Sequence, residues 1–243
     1  DKRRLDIVEN IKGDLIAYNP LTKEQTGIGG DDKCGVFVCL SLFLEMDILK
    51  GAFFVEEEIG MLGSREACEE FFKNVGYAIQ FDAPSANWIT EVCSGVKIFD
   101  EEFKDKIKTV LSEGGYTKFS NDPFTDVNQL AQKFNFNCLN LGCGYYEQHR
   151  DTEYVVIDEV KKALHMGINL LHHLGINDYE RKDKENLNES IKDDSYWFKY
   201  VENDYDLLSD KIVDSVIEMY EDGFESEDIK MYVSDLLEIE NYE

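Results

Sequence analysis

The chain has 243 residues, of which 43% are hydrophobic and 12% aromatic, and its formal net charge is -26 at pH 7. This length suits one large domain, or one domain with a smaller appendage, and the apolar content is ample for a core. The strong negative charge argues against nucleic acid or an anionic membrane as a partner, because both repel an acidic protein. No apolar run reaches the length of a membrane span, and no secretory signal is evident, so we expect a cytoplasmic protein.

The cysteine pattern is consistent with an intracellular location. None of the six cysteines belongs to a CxxC pair, and most lie in apolar segments. Reduced, buried thiols are therefore expected rather than disulfides. The six are Cys34, Cys39, Cys68, Cys93, Cys138 and Cys143.

Strand and helix patterns alternate along the first 175 residues. Short apolar runs followed by turn residues predict strands at 14–18, 52–55, 77–81 and 138–141, and a short one after Gly114-Gly115. Longer patterns predict helices at 36–44, about 66–74 with Ser64 as its N-cap, 100–111, 125–134 and 160–174. This alternation predicts an α/β fold with three αβα layers and a largely parallel central sheet.

The composition changes after Gly175. From there to Glu243 the chain has 22 acidic and 7 basic residues, a net of -15 out of -26. Residues 176–194 are mostly polar and are expected to be a linker. Two apolar stripes follow and predict a small acidic appendage of two amphipathic helices at 195–243, separated near Gly223. The stripes are Ile212, Val213, Val216, Ile217 and Tyr220, then Ile229, Tyr232, Val233, Leu236 and Leu237.

Acidic residues stand at the ends of a glycine turn and of two predicted strands. Asp31 and Asp32 follow the turn at 27–30, a glutamate triplet at 56–58 follows strand 52–55, and Asp82 ends strand 77–81. Carboxylates at the ends of successive strands converge above the sheet edge, where they suit a hard or borderline cation. Two divalent ions about 3.5–4 Å apart need a bridging carboxylate, terminal O or N ligands and a free carboxylate as proton acceptor.

Each of these residues has a simpler interpretation when it is taken singly. The chain has 51 acidic residues, and an isolated Asp at a strand end more often caps a helix or forms a turn. A glutamate triplet is usually a solvated edge, and His149 is only one of four histidines. The other three lie on the predicted helix 160–174, where a surface position or the helix C-terminus explains them better than ligation. Only the joint pattern favours a metal site.

The joint pattern is carried by five motifs between about residues 14 and 175. They are Gly29-Gly30-Asp31-Asp32-Lys33-x-Gly35, Phe53-Phe54-Val55-Glu56-Glu57-Glu58-Ile59-Gly60-x-x-Gly63-Ser64, Phe81-Asp82, Thr125-Asp126-Val127 and Gly144-Tyr145-Tyr146-x-x-His149-x-x-x-Glu153-Tyr154. In these motifs the chain resembles the zinc-dependent exopeptidase superfamily. That superfamily includes tripeptide aminopeptidases (peptidase T), glutamate carboxypeptidases and single-domain aminopeptidases.

The resemblance implies a role for each matching residue. Asp31 matches the carboxylate that bridges two metals, and Glu57 matches the general base. Glu58 and Asp82 match terminal ligands of the two metals, and His149 matches the last histidine ligand. The implied cofactor is one or two zinc ions, with cobalt or manganese as substitutes, and the implied substrate is a short peptide.

Three further features come with the resemblance. It implies a cis peptide between Asp31 and Asp32. Tyr145 and Tyr146 could line a substrate pocket, although core packing explains them equally well. Only 66 residues separate Asp82 from His149, so the chain resembles the members that have a single domain and no lid.

One departure limits the resemblance. The superfamily has a His-x-Asp motif upstream of the bridging aspartate, and no histidine precedes Asp31 here. Either that motif lies before Asp1 in a longer protein, or one metal position is impaired. The expected function is thus a zinc-dependent exopeptidase of the aminopeptidase or tripeptidase type. The alternative is a catalytically impaired scaffold that binds a partner protein through its acidic C-terminal helices. The sequence does not distinguish an aminopeptidase from a carboxypeptidase or a dipeptidase.

Overall fold

A computed structural model describes residues 4–58, 60–122 and 125–182. Within these ranges the chain forms a mixed α/β structure of ten strands and six helices. The strands are β1 (Asp6–Glu9), β2 (Leu15–Tyr18), β3 (Gln25–Thr26), β4 (Tyr77–Ala83), β5 (Trp88–Cys93), β6 (Val96–Lys97), β7 (Lys118–Asp122), β8 (Asn137–Gly142), β9 (Tyr145–Tyr146) and β10 (Tyr154–Val155). The helices are α1 (Gly30–Glu45), α2 (Leu62–Arg65), α3 (Glu69–Phe72), α4 (Glu101–Glu113), α5 (Asp126–Lys133) and α6 (Ile157–Leu174).

The larger sheet has the order β4-β8-β5-β6, with β7 also paired to β5. The pairs β4 with β8 and β5 with β7 are parallel. The pairs β5 with β8 and β5 with β6 are antiparallel. The sheet is therefore mixed, with parallel pairing in its two longer contacts, and the largely parallel sheet that the sequence predicts is not confirmed.

A second, smaller sheet lies beside the beginning of α1. Its strands run antiparallel in the order β1-β2-β10-β9, and β3 pairs with β2. Strands β9 and β10 form a hairpin whose connection contains His149 and Glu153. Residue Gly30 allows the hairpin to approach α1, because a Cβ atom at this position would lie 2.6 Å from Val155 Cγ2 and 2.9 Å from Tyr145 Cβ.

Helices cover both faces of the larger sheet. The Gln80 side chain in β4 accepts hydrogen bonds from the Thr125 hydroxyl and the Val127 amide at the start of α5. The next residue, Phe81, lies against Gly167 of α6. Because consecutive side chains of a strand point to opposite faces, α5 packs on one face and α6 on the other, where α6 also contacts α1. This arrangement places β4 between two helical layers.

The core between these layers is apolar. It includes Val38 and Leu42 of α1, Ile107 and Leu111 of α4, Leu139 and Leu141 of β8, and Met166 and Leu170 of α6. All six cysteines are free thiols, as the sequence predicts, and four of them are buried. No helix in the described part of the chain is both long and apolar enough to cross a bilayer.

The segment 52–55 differs from its prediction as a buried strand. Ala52, Phe53 and Val55 are exposed, and the segment joins neither sheet. Its apolar and β-branched residues have strand propensity, but its backbone does not pair with a strand of either sheet. The carbonyl of Val55 accepts a hydrogen bond from the Gly63 amide, which ties it to the turn that follows. Tertiary contacts thus override the local preference.

The predicted helix at 66–74 is also replaced. Two single-turn helices, α2 and α3, occupy this region, and the extended backbone of Cys68 separates them. Ser64 is buried inside α2 and donates a hydrogen bond to the Met61 carbonyl instead of capping a longer helix. The other predicted helices and strands between 77 and 174 are confirmed, with small shifts at their ends.

The described part of the chain ends beyond Gly175 with a packed segment. Tyr179 contacts the rings of Tyr77 and Phe103, and Arg181 is buried. These residues begin the stretch 176–194 for which the sequence predicts a linker. The rest of that stretch and the predicted helical appendage at 195–243 lie outside the described residues.

Asp100 connects this packed segment to the start of α4 through hydrogen bonds. Substitution of Asp100 therefore tests how much this connection stabilises the fold. Its carboxylate accepts hydrogen bonds from the Phe103 amide (2.8 Å), as an N-cap, and from the Lys182 amide (3.0 Å). We expect Asp100→Ala to lower the free energy of unfolding by about 1–2 kcal/mol, because both amides lose their acceptor. Urea denaturation measures this loss. Asp105→Ala on the exposed face of α4 is the matched control, and an equal loss there would contradict the capping role.

Candidate metal centre

Three side chains from separate segments meet at the beginning of α1. His149 Nε2 lies 3.1 Å from Asp31 Oδ2 and 2.8 Å from Glu58 Oε1. One ligand atom from each residue lies within 4.8 Å of the others. Tetrahedral ligands at about 2 Å from a zinc ion lie roughly 3.3 Å from each other. The two oxygens and the nitrogen are therefore spaced suitably for one shared divalent cation.

The centre is open on one side and buried on the other. The side chains of Glu58 and His149 are 62% and 58% exposed, whereas that of Asp31 is 18% exposed. Asp31 lies in the first turn of α1, where its backbone departs from helical geometry. The peptide bond from Asp31 to Asp32 is cis, as the resemblance implies. A ligand can thus approach the exposed pair while Asp31 is held by the protein.

Glu153 holds the backbone around Asp31. This residue is buried, and its carboxylate accepts hydrogen bonds from the amides of Gly29 (2.6 Å) and Asp31 (3.0 Å). Gly29 is the N-cap of α1 and has no side chain to accept such bonds. Glu153 therefore caps the helix from a distant part of the chain, where its charge also interacts favourably with the helix dipole. The sequence motif contains Glu153, but its pattern does not show that the residue is buried beneath Asp31.

Four more carboxyl groups surround this centre, and repulsion among them disfavours their charged forms. They are Asp32, Glu57, Asp82 and Asp126. Burial, followed by the charges of Asp82 and Glu58, raises the pKa of Glu57 to about 8. Burial, followed by the charges of Asp82 and Asp31, raises the pKa of Asp32 to about 9. In the folded chain these acids lie close together, and both burial and mutual repulsion disfavour their ionised forms.

Asp82 is held by hydrogen bonds to two polar side chains. Burial, followed by the charges of Asp31 and Asp126, raises its pKa to about 7. Its backbone amide donates to the Asn140 side chain, and its Oδ2 accepts from Gln80 Nε2 at 2.9 Å. The hydrogen bond from Gln80 favours the charged form, but burial and repulsion outweigh it. Asp82 lies close enough to interact with Asp31, although it is not one of the three residues whose ligand atoms cluster.

Little positive charge lies beside the acids of this centre in the described part of the chain. Over residues 4–58, 60–122 and 125–182, His149 is the only basic side chain within ion-pair distance of Asp31 or Glu58. The nearby Lys33 points elsewhere and donates from Nζ to the Ile28 carbonyl at 2.6 Å. Buried carboxylates normally pair with a base or coordinate a metal. The donor set of carboxylate oxygens and one imidazole nitrogen fits a divalent ion of the zinc type.

The two tyrosines of the fifth motif have different environments. Tyr145 is buried against Gly30, and burial raises the pKa of its phenol, with the charges of Asp82 and Asp31 adding to the effect. Tyr146 donates from its hydroxyl to the Glu159 carboxylate at 2.8 Å, and its ring stacks on Tyr154. Both have packing partners, and substrate binding by either remains a prediction.

No protein-family model matches the chain, and no curated protein sequence matches it. Its fold is similar to solved structures of peptidases. Aminopeptidase PepT from Bacillus cereus matches with a TM-score of 0.56 and 12% sequence identity, over 70% of this chain and 76% of the other. The TET1 peptidase of Pyrococcus horikoshii, which can assemble into a tetrahedron or a large octahedral shell, matches with a TM-score of 0.51 and 16% identity, over 69% of this chain and 52% of the other.

A TET aminopeptidase from a marine-sediment archaeon of the Thaumarchaeota gives a similar result, with a TM-score of 0.50, 12% identity and coverage of 68% and 51%. The chain spans about half the length of the TET peptidases that it matches. At these identities the likeness shows the fold, which is a peptidase fold. The described part of the chain thus shares its fold with these aminopeptidases.

The role of Glu153 predicts a measurable loss on substitution. Glu153→Gln replaces a carboxylate that accepts two backbone hydrogen bonds with an amide whose nitrogen cannot accept. We expect a loss of about 1.5–3 kcal/mol in the free energy of unfolding, the range for bonds to a charged group. Glu147→Gln, in the same loop but with a surface partner in Arg150, is the control and should change stability much less. Equal losses in the two variants would show that Glu153 does not hold the turn.

The raised pKa values predict how the stability of the metal-free chain depends on pH. Asp32, Glu57 and Asp82 release their protons near pH 4 when unfolded but only near pH 7 to 9 when folded. The folded state therefore binds more protons across this window, and the chain loses stability as pH rises from about 4 to about 9. Thermal melting of the chelator-treated chain measures the trend. The slope should be smaller in Asp82→Asn, and an unchanged slope would contradict the assignment.

Proposed function

We propose that this chain is a zinc-dependent aminopeptidase that hydrolyses short peptides, with Glu57 as the general base. The observation that supports this most directly is the cluster of Asp31, Glu58 and His149 beside a half-buried glutamate of raised pKa. The peptidase fold supports the same function.

Four residues would hold the metal. Asp31, Glu58 and His149 would hold one ion, and Asp82 with the bridging Asp31 would hold a second, with cobalt or manganese as substitutes. When bound, zinc supplies positive charge that polarises a peptide carbonyl and lowers the pKa of water. The chain contributes the arrangement of these ligands, with Asp31 fixed by Glu153 and Asp82 fixed by Gln80 and Asn140.

Glu57 would carry the proton. It precedes the ligand Glu58 but is not part of the three-residue cluster, so its carboxylate is free for proton transfer. Its raised pKa lies near neutral pH, the range in which a carboxylate can both accept a proton from water and donate it again. In the proposed reaction Glu57 takes a proton from the attacking water and delivers it to the leaving amine.

The charge of the site favours the amino end of a peptide. When ionised, the carboxyl groups of Asp32, Asp82 and Asp126 repel a terminal carboxylate and attract a terminal ammonium group. A carboxypeptidase would need a basic side chain for the C-terminus of its substrate. Apart from His149, no basic residue in the described ranges forms an ion pair with the acids of the centre. We therefore favour an aminopeptidase over a carboxypeptidase.

The role of Glu57 predicts a separation of metal binding from activity. Glu57→Gln should retain the zinc stoichiometry of the parent chain and lose about 10²–10⁴-fold in kcat, the usual contribution of a general base. Elemental mass spectrometry measures zinc, and release of amino acids from short peptides measures turnover. Glu66→Gln, an exposed glutamate a few residues away, is the matched control and should retain activity.

Two outcomes would overturn parts of this proposal. If Glu57→Gln hydrolyses peptides at nearly the parental rate, Glu57 is not the base. If the zinc-treated parent chain binds no metal and hydrolyses no peptide, the alternative of a partner-binding scaffold is favoured. That alternative depends on the acidic helices predicted at 195–243, outside the described residues.

A further inference from the structure

The pairing of β4 with β8 is irregular where Asp82 lies. Gln80 is opposite Asn140, but three residues later Ala83 is opposite Gly142, which is only two residues beyond Asn140. The extra residue in β4 forms a β-bulge, an irregularity that often lies next to active sites and changes the direction of a side chain. Because Asp82 belongs to this bulge, the direction of its carboxylate depends on how the bulge is held.

The side chain of Asn140 closes the bulge. Its Oδ1 accepts a hydrogen bond from the Asp82 amide, and its Nδ2 donates one to the Asp82 carbonyl, both at 3.0 Å. In a regular ladder the main chain of the neighbouring strand makes such bonds. A carboxamide carries both a donor and an acceptor, so Asn140 can satisfy both main-chain groups of one residue, which an apolar side chain or an ionised carboxylate cannot do.

A second buried side chain determines how the Asn140 amide is turned. Thr90 lies opposite Asn140 in the neighbouring strand β5, and its hydroxyl accepts a hydrogen bond from Asn140 Nδ2 at 3.1 Å. The same hydroxyl donates to Oδ2 of Asp122 at the end of β7. A hydroxyl has one hydrogen, so the Thr90 oxygen has to face the nitrogen of the amide and not its oxygen. This orientation is the one that matches the main chain of Asp82.

The polar network occupies an otherwise apolar part of the sheet. All six residues of β8 are buried, and Thr90 is buried next to Ile89 and opposite β8. Burying an amide and a hydroxyl is unfavourable unless both are hydrogen-bonded, as they are here. Neither Asn140, Thr90 nor Asp122 belongs to the three residues whose ligand atoms cluster. The hydrogen bonds described above therefore connect the network to the metal centre through the main chain of Asp82.

We propose that Thr90, with Asp122 behind it, is a positioning residue of the metal centre. Thr90 fixes the Asn140 amide, the amide fixes the main chain of Asp82, and the carboxylate of Asp82 is thereby held in place beside Asp31. This inference rests on the proposed function, in which Asp82 and Asp31 hold a second ion. It extends that function by assigning the support of this ion to two residues that contact none of the proposed ligands.

Removal of the Thr90 hydroxyl tests the inference without hydrolysis. Thr90→Val keeps the shape of the side chain but loses the acceptor for Asn140 and the donor for Asp122. We expect the second zinc ion to bind at least about tenfold more weakly, the usual effect of losing a group that orients a ligand, whereas the ion at the three-residue cluster should change by less than about twofold. Competition between the full 243-residue chain and a zinc-binding dye measures both affinities, and elemental mass spectrometry gives the stoichiometry.

Three further variants separate positioning from a loss of stability. Thr90→Ser retains a hydroxyl and should restore the affinity for the second ion. Tyr116→Phe removes another buried hydrogen bond to β8, from the Tyr116 hydroxyl to the Gly142 carbonyl at 2.7 Å, and should lower the melting temperature without changing zinc affinity. Asp122→Ala changes a partly buried residue at the end of β7, so it tests the same network even if Thr90→Val does not fold. It should also weaken the second ion selectively.

The results separate this inference from the proposed function. Unchanged zinc binding in Thr90→Val, or an equal loss in Tyr116→Phe, would overturn the inference. A parent chain that binds a single ion would also overturn it, because Asp82 would then have no ion to hold. If the zinc-loaded parent still hydrolyses peptides in these cases, the proposed function stands without the network. Conversely, a selective loss of the second ion that Thr90→Ser restores supports the network. If the parent then hydrolyses no peptide, the proposed function fails while the positioning role stands.

Discussion

Electrostatic repulsion among closely spaced acids, several of them partly buried, is the constraint on which this site depends. Seven carboxyl groups interact around the beginning of α1 and the end of β4: Asp31, Asp32, Glu57, Glu58, Asp82, Asp126 and Glu153. Removing a carboxylate from water is unfavourable, and bringing several together adds repulsion. The folded chain tolerates this cost by retaining protons and by donating main-chain and side-chain hydrogen bonds. A divalent cation bound among these acids would favour their charged forms.

The fold holds the two sides of the site in different ways. On the buried side, Asp31 and Asp82 lie at the ends of regular elements and are held by buried partners, Glu153 and Asn140. On the exposed side, Glu58 and His149 come from connecting segments and meet each other at 2.8 Å. The buried side thus provides a fixed arrangement of charge. The exposed side leaves room for water and for a ligand to enter.

An apolar cavity of about 220 Å³ lies beside the β4 edge of the larger sheet, next to some of these acids. Alternation along β4 sends Gln80 toward α5 and Phe81 toward α6, so the strand organises both helical layers. Its partner on one edge is β8, and segment 52–55 lies beside it without joining the sheet. The space left there is apolar because the same residues that favour a strand, such as Phe53 and Phe54, line it. The cavity thus follows from the departure of segment 52–55 from the sheet.

Local sequence patterns determined much of the secondary structure of this protein. The runs that became β4, β8, α4, α5 and α6 were predictable because hydrophobic periodicity and caps act over a few residues. The motifs that resemble the zinc-dependent exopeptidase superfamily also implied a shared centre for Asp31, Glu58 and His149, and these three side chains do meet. Tertiary structure alone decided that 52–55 leaves the sheet, that β5 pairs antiparallel with β8, and that Glu153 caps α1 across 122 residues. These outcomes depend on contacts between distant segments, and a one-dimensional pattern carries no information on which distant donor, acceptor or apolar surface will be available.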